Sequence, residues 1–165
     1  VNDALLLSGT AVENAVGWLL LAASLLVPGA IAALLWTPFL FSSRIRTLFV
    51  RLPPSDSLAP SYAVVGVAAS LPFVLGPFVA VTRAGPDALW GPPILGVTAV
   101  LFVGYAAGTP LVGALALPRL GIDWDPHGYD ASTWALLGAG GIWYAALFTV
   151  PLAVLGLVLS LPGGY

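Results

Sequence analysis

WALLGAGGIWYAALFTVPLAVLGLVLSL, residues 134–161, runs from Trp134 to Leu161 without one charged side chain. The hydrocarbon core of a bilayer needs about 20 apolar residues in a helix to cross it, and this run exceeds that length. A membrane barrel strand would alternate polar and apolar residues over about ten positions, and nothing here alternates. The stretch therefore reads as a transmembrane helix.

Three more segments have the same character, at about residues 15–41, 62–81 and 94–117. The expected fold is an all-α integral membrane protein: a four-helix bundle of proline-kinked transmembrane helices with short loops, forming one domain over residues 1–165. Composition points the same way. Hydrophobic residues make up 59% of the 165-residue chain and charged residues 7%, with a mean hydropathy of +1.02. A soluble domain carries about 25% charge, so a surface this poor in charge is suited to lipid rather than water.

Several function classes are excluded by what is missing. The net charge is -2, with no basic run to follow a phosphate backbone, so no nucleic acid is expected as a partner. Cysteine is absent, which removes disulfide and thiol chemistry. All five basic residues are arginines, so there is no lysine for a Schiff base, and a lone histidine cannot supply bis-histidine haem ligation. No cofactor is expected. Arginine-only basicity, a preference for aspartate over glutamate, no cysteine and abundant Ala and Val resemble the composition of proteins from GC-rich, salt-adapted archaea.

At the start of the chain, residues 3–12 read as a short interfacial helix or an extension beyond the bilayer, with Asp3 able to cap it. One helix from Ala4 to Phe41 would be about 57 Å long at 1.5 Å per residue, more than a membrane requires. No basic region precedes the first apolar run, so a cleaved signal peptide is not expected. The first loop holds Arg44, Arg46 and Arg51, the second Arg83 and the third Arg119. With loops one and three on one side, the positive-inside rule places both termini outside in the cell membrane.

Within the four apolar cores there is no Asp, Glu, Arg or His; Glu13 lies at the lip of the first. Ion-coupled pumps place ionisable groups at membrane depth, so such a pump is not expected. Prolines interrupt every segment, at Pro28, Pro72, Pro77, Pro110 and Pro151, and each is expected to kink its helix. Broken helices can surround a substrate cavity, although proline is common in membrane helices anyway. Small residues recur at Gly29, Gly66, Gly104, Gly108, Gly138 and Gly141, where helix backbones could pack closely. Trp18, Trp36, Tyr62, Trp90, Trp124 and Trp134 fall near segment ends, as interfacial rings do. Trp143, Tyr144 and Tyr105 lie deeper, where a buried ring needs a polar partner, and Thr109 or Thr149 could supply it.

The most polar stretch is RLGIDWDPHGYDASTW, residues 119–134. Asp123, Asp125, His127 and Gly128 fall at positions one, three, five and six of a calcium loop, but position twelve is Trp134 rather than the bidentate glutamate. Asp123, Asp125, His127 and Asp130 are thus a weak cation candidate, lacking the sulfur or second imidazole of a zinc site. As a helix boundary every residue has an ordinary role: Pro118 and Gly121 end one helix, Asp130 or Ser132 caps the next, and Trp124, Tyr129 and Trp134 sit at the interface. No nucleophile elbow, phosphate loop or zinc-protease motif occurs. The expected function is non-enzymatic, through helix packing as a homo-oligomer or an accessory subunit of a membrane complex, with lipids and another membrane protein as partners. The alternative is a small channel or carrier for a neutral or lipidic solute.

Overall fold

The structure is a computed structural model that describes residues 2–85 and 88–161, without the side chains of residues 2–13. The Asp3 cap and the placement of Glu13 therefore lie outside the described residues. Helix α1 (Asn2–Trp36) takes in residues 3–12, the stretch read as a short interfacial helix or an extension beyond the bilayer, and a 3-10 turn follows at Thr37–Phe41. Next come α2 (Ser43–Arg51), α3 (Leu58–Ala68), α4 (Leu71–Ala84) and α5 (Gly91–Leu111). A wider π turn at Val112–Ala116 leads into the single turn α6 (Leu117–Arg119), and α7 (Ala131–Val158) is the last helix described. No strand occurs among the described residues. The all-helical expectation holds, and four stretches are long and apolar enough to cross a membrane: Asn14–Phe41, Leu58–Ala84, Gly91–Arg119 and Ala131–Val158.

The second stretch departs from the expected single helix. It is two helices, α3 and α4, that meet at a turn over Ala69–Ser70. Pro72, expected inside a helix, sits instead in the first turn of α4. There its missing N–H costs nothing, because the first donors of a helix have no partner within it. Pro28, Pro77 and Pro151 lie inside uninterrupted helices, and Pro110 precedes the π turn.

The helices pack in a closed ring. α1 lies on α3, with Gly29 against Val67 and Ser70 and Gly66 against Ala33. α4 lies on α5, with Gly76 over Val97 and Leu101. Along α5 and α7, Gly91 meets Gly156, Gly141 meets Tyr105 and Thr109, and Gly113 meets Leu137. Trp36 at Gly140 returns α7 to α1. Residue numbers rise on one helix as they fall on its neighbour in each pair. The bundle is therefore up-down-up-down, with the first and third loops at one end and the second loop at the other.

Two apolar clusters hold this arrangement. In mid-bundle, Ala32, Phe73, Tyr144, Ala145 and Phe148 are buried together, with Phe73 stacked on Phe148 at 4.9 Å between ring centres. At the loop end, α2 turns Ile45, Leu48 and Phe49 inward onto Ala114, Trp124 and Leu137. Burying each large apolar side chain is worth roughly 1.5–3 kcal/mol where water is the alternative. Apart from the half-buried Leu25, the described side chains of α1 before Pro28 stand clear of the bundle, with Trp18 71% and Leu19 70% exposed.

Candidate functional site

Proline placement decides which backbone groups need help. Pro72 cannot donate to the carbonyl of Ala68. Around it, Ser70 N–H turns to Val67 O at 3.0 Å and Phe73 N–H to Ser70 O at 3.0 Å. The carbonyls of Gly66 and Ala69 thereby lose their helical donors. Tyr144 of α7 donates its hydroxyl to Gly66 O, and Tyr105 of α5 donates to Ala69 O, each at 2.5 Å. A buried carbonyl without a partner would cost about 2 kcal/mol or more.

The same logic repeats at the end of α1. Pro38 denies Leu34 O its donor, and the Thr37 hydroxyl takes its place at 2.7 Å. Tyr62 of α3 donates to Ala33 O, and Trp143 Nε1 of α7 donates to Leu35 O at 3.2 Å. Thr109 and Thr149 are only candidate partners in the sequence for Trp143, Tyr144 and Tyr105, whose rings read first as packing groups; the polar partners found are backbone carbonyls. Thr149 Oγ1 is instead buried without a partner. Spacing alone could not reveal this, because the acceptors exist only where another helix has been broken.

Trp124 is a further correction. It was expected at the interface and is 1% exposed. In the π turn, Leu117 N–H reaches back to Val112 O, and Pro118 has no N–H to offer Gly113 O. The Trp124 indole fills that gap, donating to Gly113 O at 2.8 Å. Gly121, with φ +83, then ends α6 by directing its own N–H to Pro118 O and that of Ile122 to Leu117 O.

The residues of the polar loop have separate attachments. Asp130 caps α7, its Oδ1 accepting from Ser132 N and Thr133 N at 3.0 Å each and from the Ser132 hydroxyl at 2.6 Å. The Ser132 hydroxyl first, and then the Thr133 N–H, hold this carboxyl well below the usual carboxylate range, with the charge of Arg44 adding to the effect. Asp125 is buried: its Oδ2 accepts from Thr133 Oγ1 at 2.6 Å and lies 3.6 Å from Arg44 Nη1. Arg44 also donates to Ser132 Oγ at 2.7 Å and Thr133 Oγ1 at 2.8 Å, pinning α2 to the first turn of α7. Asp123 accepts from the Tyr129 hydroxyl at 2.8 Å. Burial first, then that bond, raises the Tyr129 pKa. The His127 side chain is 67% exposed, 3.7 Å from Asp125 Oδ1. Among the described residues no three acidic or imidazole groups come close enough to hold a metal ion.

Of the six glycines at small-residue positions, Gly29, Gly66 and Gly141 lie at helix contacts, where a Cβ would meet Val67 or Ser70, Ala33, and Thr109 or Tyr105 respectively. A Cβ on Gly104, Gly108 or Gly138 would meet nothing within 4 Å. Gly104 and Gly108 face a cavity of about 430 Å3. Its other walls are the apolar face of α2, Val65 of α3 and Leu137 of α7. A smaller chamber of about 160 Å3 shares Trp36, Phe49, Val65, Tyr105 and Thr109 and extends to Tyr62 and Tyr144. The turn at Ala69–Ser70 explains the space: α3 packs on α1 while α4 packs on α5, so α3 and α5 part. Trp36 donates to Gly140 O at 2.9 Å, and the three tyrosines likewise donate to carbonyls. The walls therefore offer apolar and aromatic surface, with the Thr109 hydroxyl as the remaining polar side-chain group.

Among the described residues, fold and cavity together define an all-helical bundle with four segments able to span a membrane and an apolar, open-sided groove between them. Residues 16–163 match the family model described as a domain of unknown function, DUF8162, and the chain belongs to that family. No curated protein and no solved structure matches it.

Proposed function

We propose that this is a non-enzymatic, multi-pass cell-membrane protein that binds a neutral, lipidic solute in the cavity between α3 and α5. The observation that carries the reading is the cavity itself. Ligand pockets commonly measure about 300–1,000 Å3 and are lined mainly by hydrophobic and aromatic side chains with few polar groups, and this one fits on each count. Large apolar side chains exposed along all four segments, among them Leu20, Phe78, Val100 and Val150, support a setting in lipid. The arginine count favours both termini outside: Arg44, Arg46, Arg51 and Arg119 lie toward one end of the bundle and Arg83 toward the other. A non-enzymatic role is favoured because Asp123, Asp125 and Asp130 are committed to structural bonds. The test is native mass spectrometry of protein released from detergent. One retained apolar adduct, lost in the Gly104→Leu plus Gly108→Leu variant, is expected; release of the bare chain under mild conditions would refute the reading.

A second reading, helix packing as a homo-oligomer or an accessory subunit, is favoured by α1. Its Trp18, Leu19, Leu20 and Leu26 point away from the bundle, free to meet another helix. Disulfide cross-linking of Leu20→Cys in membranes tests it, with a covalent dimer expected and monomer alone counting against self-association.

A further inference from the structure

We infer that the cavity takes one extended, uncharged hydrocarbon chain, acyl or isoprenoid, entering sideways between α3 and α5. This rests on the proposal that the cavity binds a lipidic solute, and it specifies the ligand.

Shape comes first. From α5 through the π turn to α6 the lining runs from Gly104 to Leu117, a distance of roughly 20 Å at the helical rise of 1.5 Å per residue. A helix of that length and about 10 Å diameter would fill roughly 1,500 Å3, several times the 430 Å3 present. The groove is open at Gly104 and Val112, so a partner helix can lie across its mouth but is too wide to enter, whereas a long, narrow occupant fits within. Gly104, Gly108 and Val112 follow one another at four-residue spacing, so they form a single stripe along the cavity wall. The two glycines leave that stripe smooth, with nothing nearby to fill it.

Chemistry narrows the choice further. No charged side chain lines either chamber. The indole N–H of Trp36 and the hydroxyls of Tyr62, Tyr105 and Tyr144 already donate to backbone carbonyls. A charged headgroup inside would be desolvated without a partner, at a cost far above any packing gain. The chain enters, the headgroup stays outside, and Thr109 can meet at most a single oxygen on the chain. At the loop end the apolar face of α2 bounds the same cavity through Ile45, Leu48 and Phe49.

The test is photolabelling of the full chain in vesicles of neutral phospholipid, with labelled peptides mapped by mass spectrometry. Three diazirine probes are compared: a phosphatidylcholine labelled on its acyl chain, a linear isoprenoid alcohol, and compact trifluoromethylphenyl-diazirine. At least one chain probe should label the 104–112 stripe and the apolar face of α2. Gly108→Leu should reduce that labelling several-fold, and Val65→Trp, which fills the cavity from the opposite wall, should do the same. Labelling of the exposed α1 positions Leu19 and Leu20 should not change. Which chain probe labels tells acyl from isoprenoid. Labelling of the stripe by the compact probe alone would overturn the chain inference and leave the cavity reading standing. Labelling that neither variant reduces would overturn both.

Discussion

The indole of Trp124 donates to the carbonyl of Gly113 across 2.8 Å, deep under α2. The bond joins a loop to a helix at a place where that helix cannot serve its own carbonyl. The π turn gives Leu117 N–H to Val112 O, and Pro118 has no donor for Gly113. Trp124→Phe keeps most of the ring and removes the donor. It should destabilise the protein by about 1–3 kcal/mol, the cost of a buried acceptor left alone. Thermal unfolding in detergent measures this, and a variant as stable as the parent would show that Gly113 O finds another donor.

Tyr105 and Tyr144 perform the equivalent service for the second segment. Removing either hydroxyl should cost about 0.6–2 kcal/mol, the range for hydrogen bonds between helices in lipid. Tyr105→Phe and Tyr144→Phe act on one turn, so their combined effect should depart from the sum of the two. A double-mutant cycle read by thermal unfolding checks this, and strict additivity would mean the two bonds are independent.

Four apolar segments could be read from the sequence because segment length and lack of charge are properties of the chain alone. The break at Ala69–Ser70 could not. Pro72 looks the same in the sequence whether it lies within a helix or opens a new one, and its position is settled by Tyr105 and Tyr144 from two other helices. The cavity was hidden for a related reason. Gly104 and Gly108 have the spacing of a packing motif, yet whether that face meets a helix or a void depends on where α3 diverges. In the polar loop, Asp130 was legible as a cap because capping is local. The pairing of Arg44 with Asp125 spans 81 positions and left no local trace.

Arg44 is the charge that matters at the loop end. Asp125 is buried beside it, so Arg44→Met leaves that carboxylate without its counter-ion and should cost about 3 kcal/mol. Arg46→Met, at an exposed position of the same helix, should cost far less. Equal losses in chemical or thermal unfolding would show that the pair contributes nothing.

Acid should test Asp130 separately. Its pKa is lowered in the folded chain, so its contribution is complete above the unfolded-state value of about 3.9. That contribution is lost only as pH falls through the still lower folded value. Between pH 7 and 5 this group should contribute no change in stability. Below about pH 4, Asp130→Asn should lose less stability than the parent for the same fall in pH. Unfolding midpoints across that range measure the difference, and parallel curves would mean the cap does not respond to charge.

Topology has a direct check. The first loop should be cytoplasmic and the second outside, following the arginines. Ala88→Cys should react with an impermeant thiol reagent in intact cells, and Ser43→Cys should react only after lysis. The reverse pattern would invert the protein in the membrane.

The glycines divide by what surrounds them. A Cβ at Gly141 would stand 2.6 Å from both Thr109 Oγ1 and the carbonyl of Tyr105, and the carbonyl belongs to a helix backbone that cannot step aside. Gly141→Leu should therefore force α5 and α7 apart along their shared face and cost about 3 kcal/mol or more, at or beyond the usual range for overpacking. At Gly104 and Gly108 the same side chain enters open space. Leucine there loses no contact and replaces glycine in a helix, so folding should be unharmed or improved by up to about 1 kcal/mol. Size-exclusion profiles and unfolding midpoints of the three variants should separate Gly141→Leu from the other two. If Gly104→Leu and Gly108→Leu prove as damaging as Gly141→Leu, the space beside them is filled by a neighbouring helix, and the packing reading would displace the cavity.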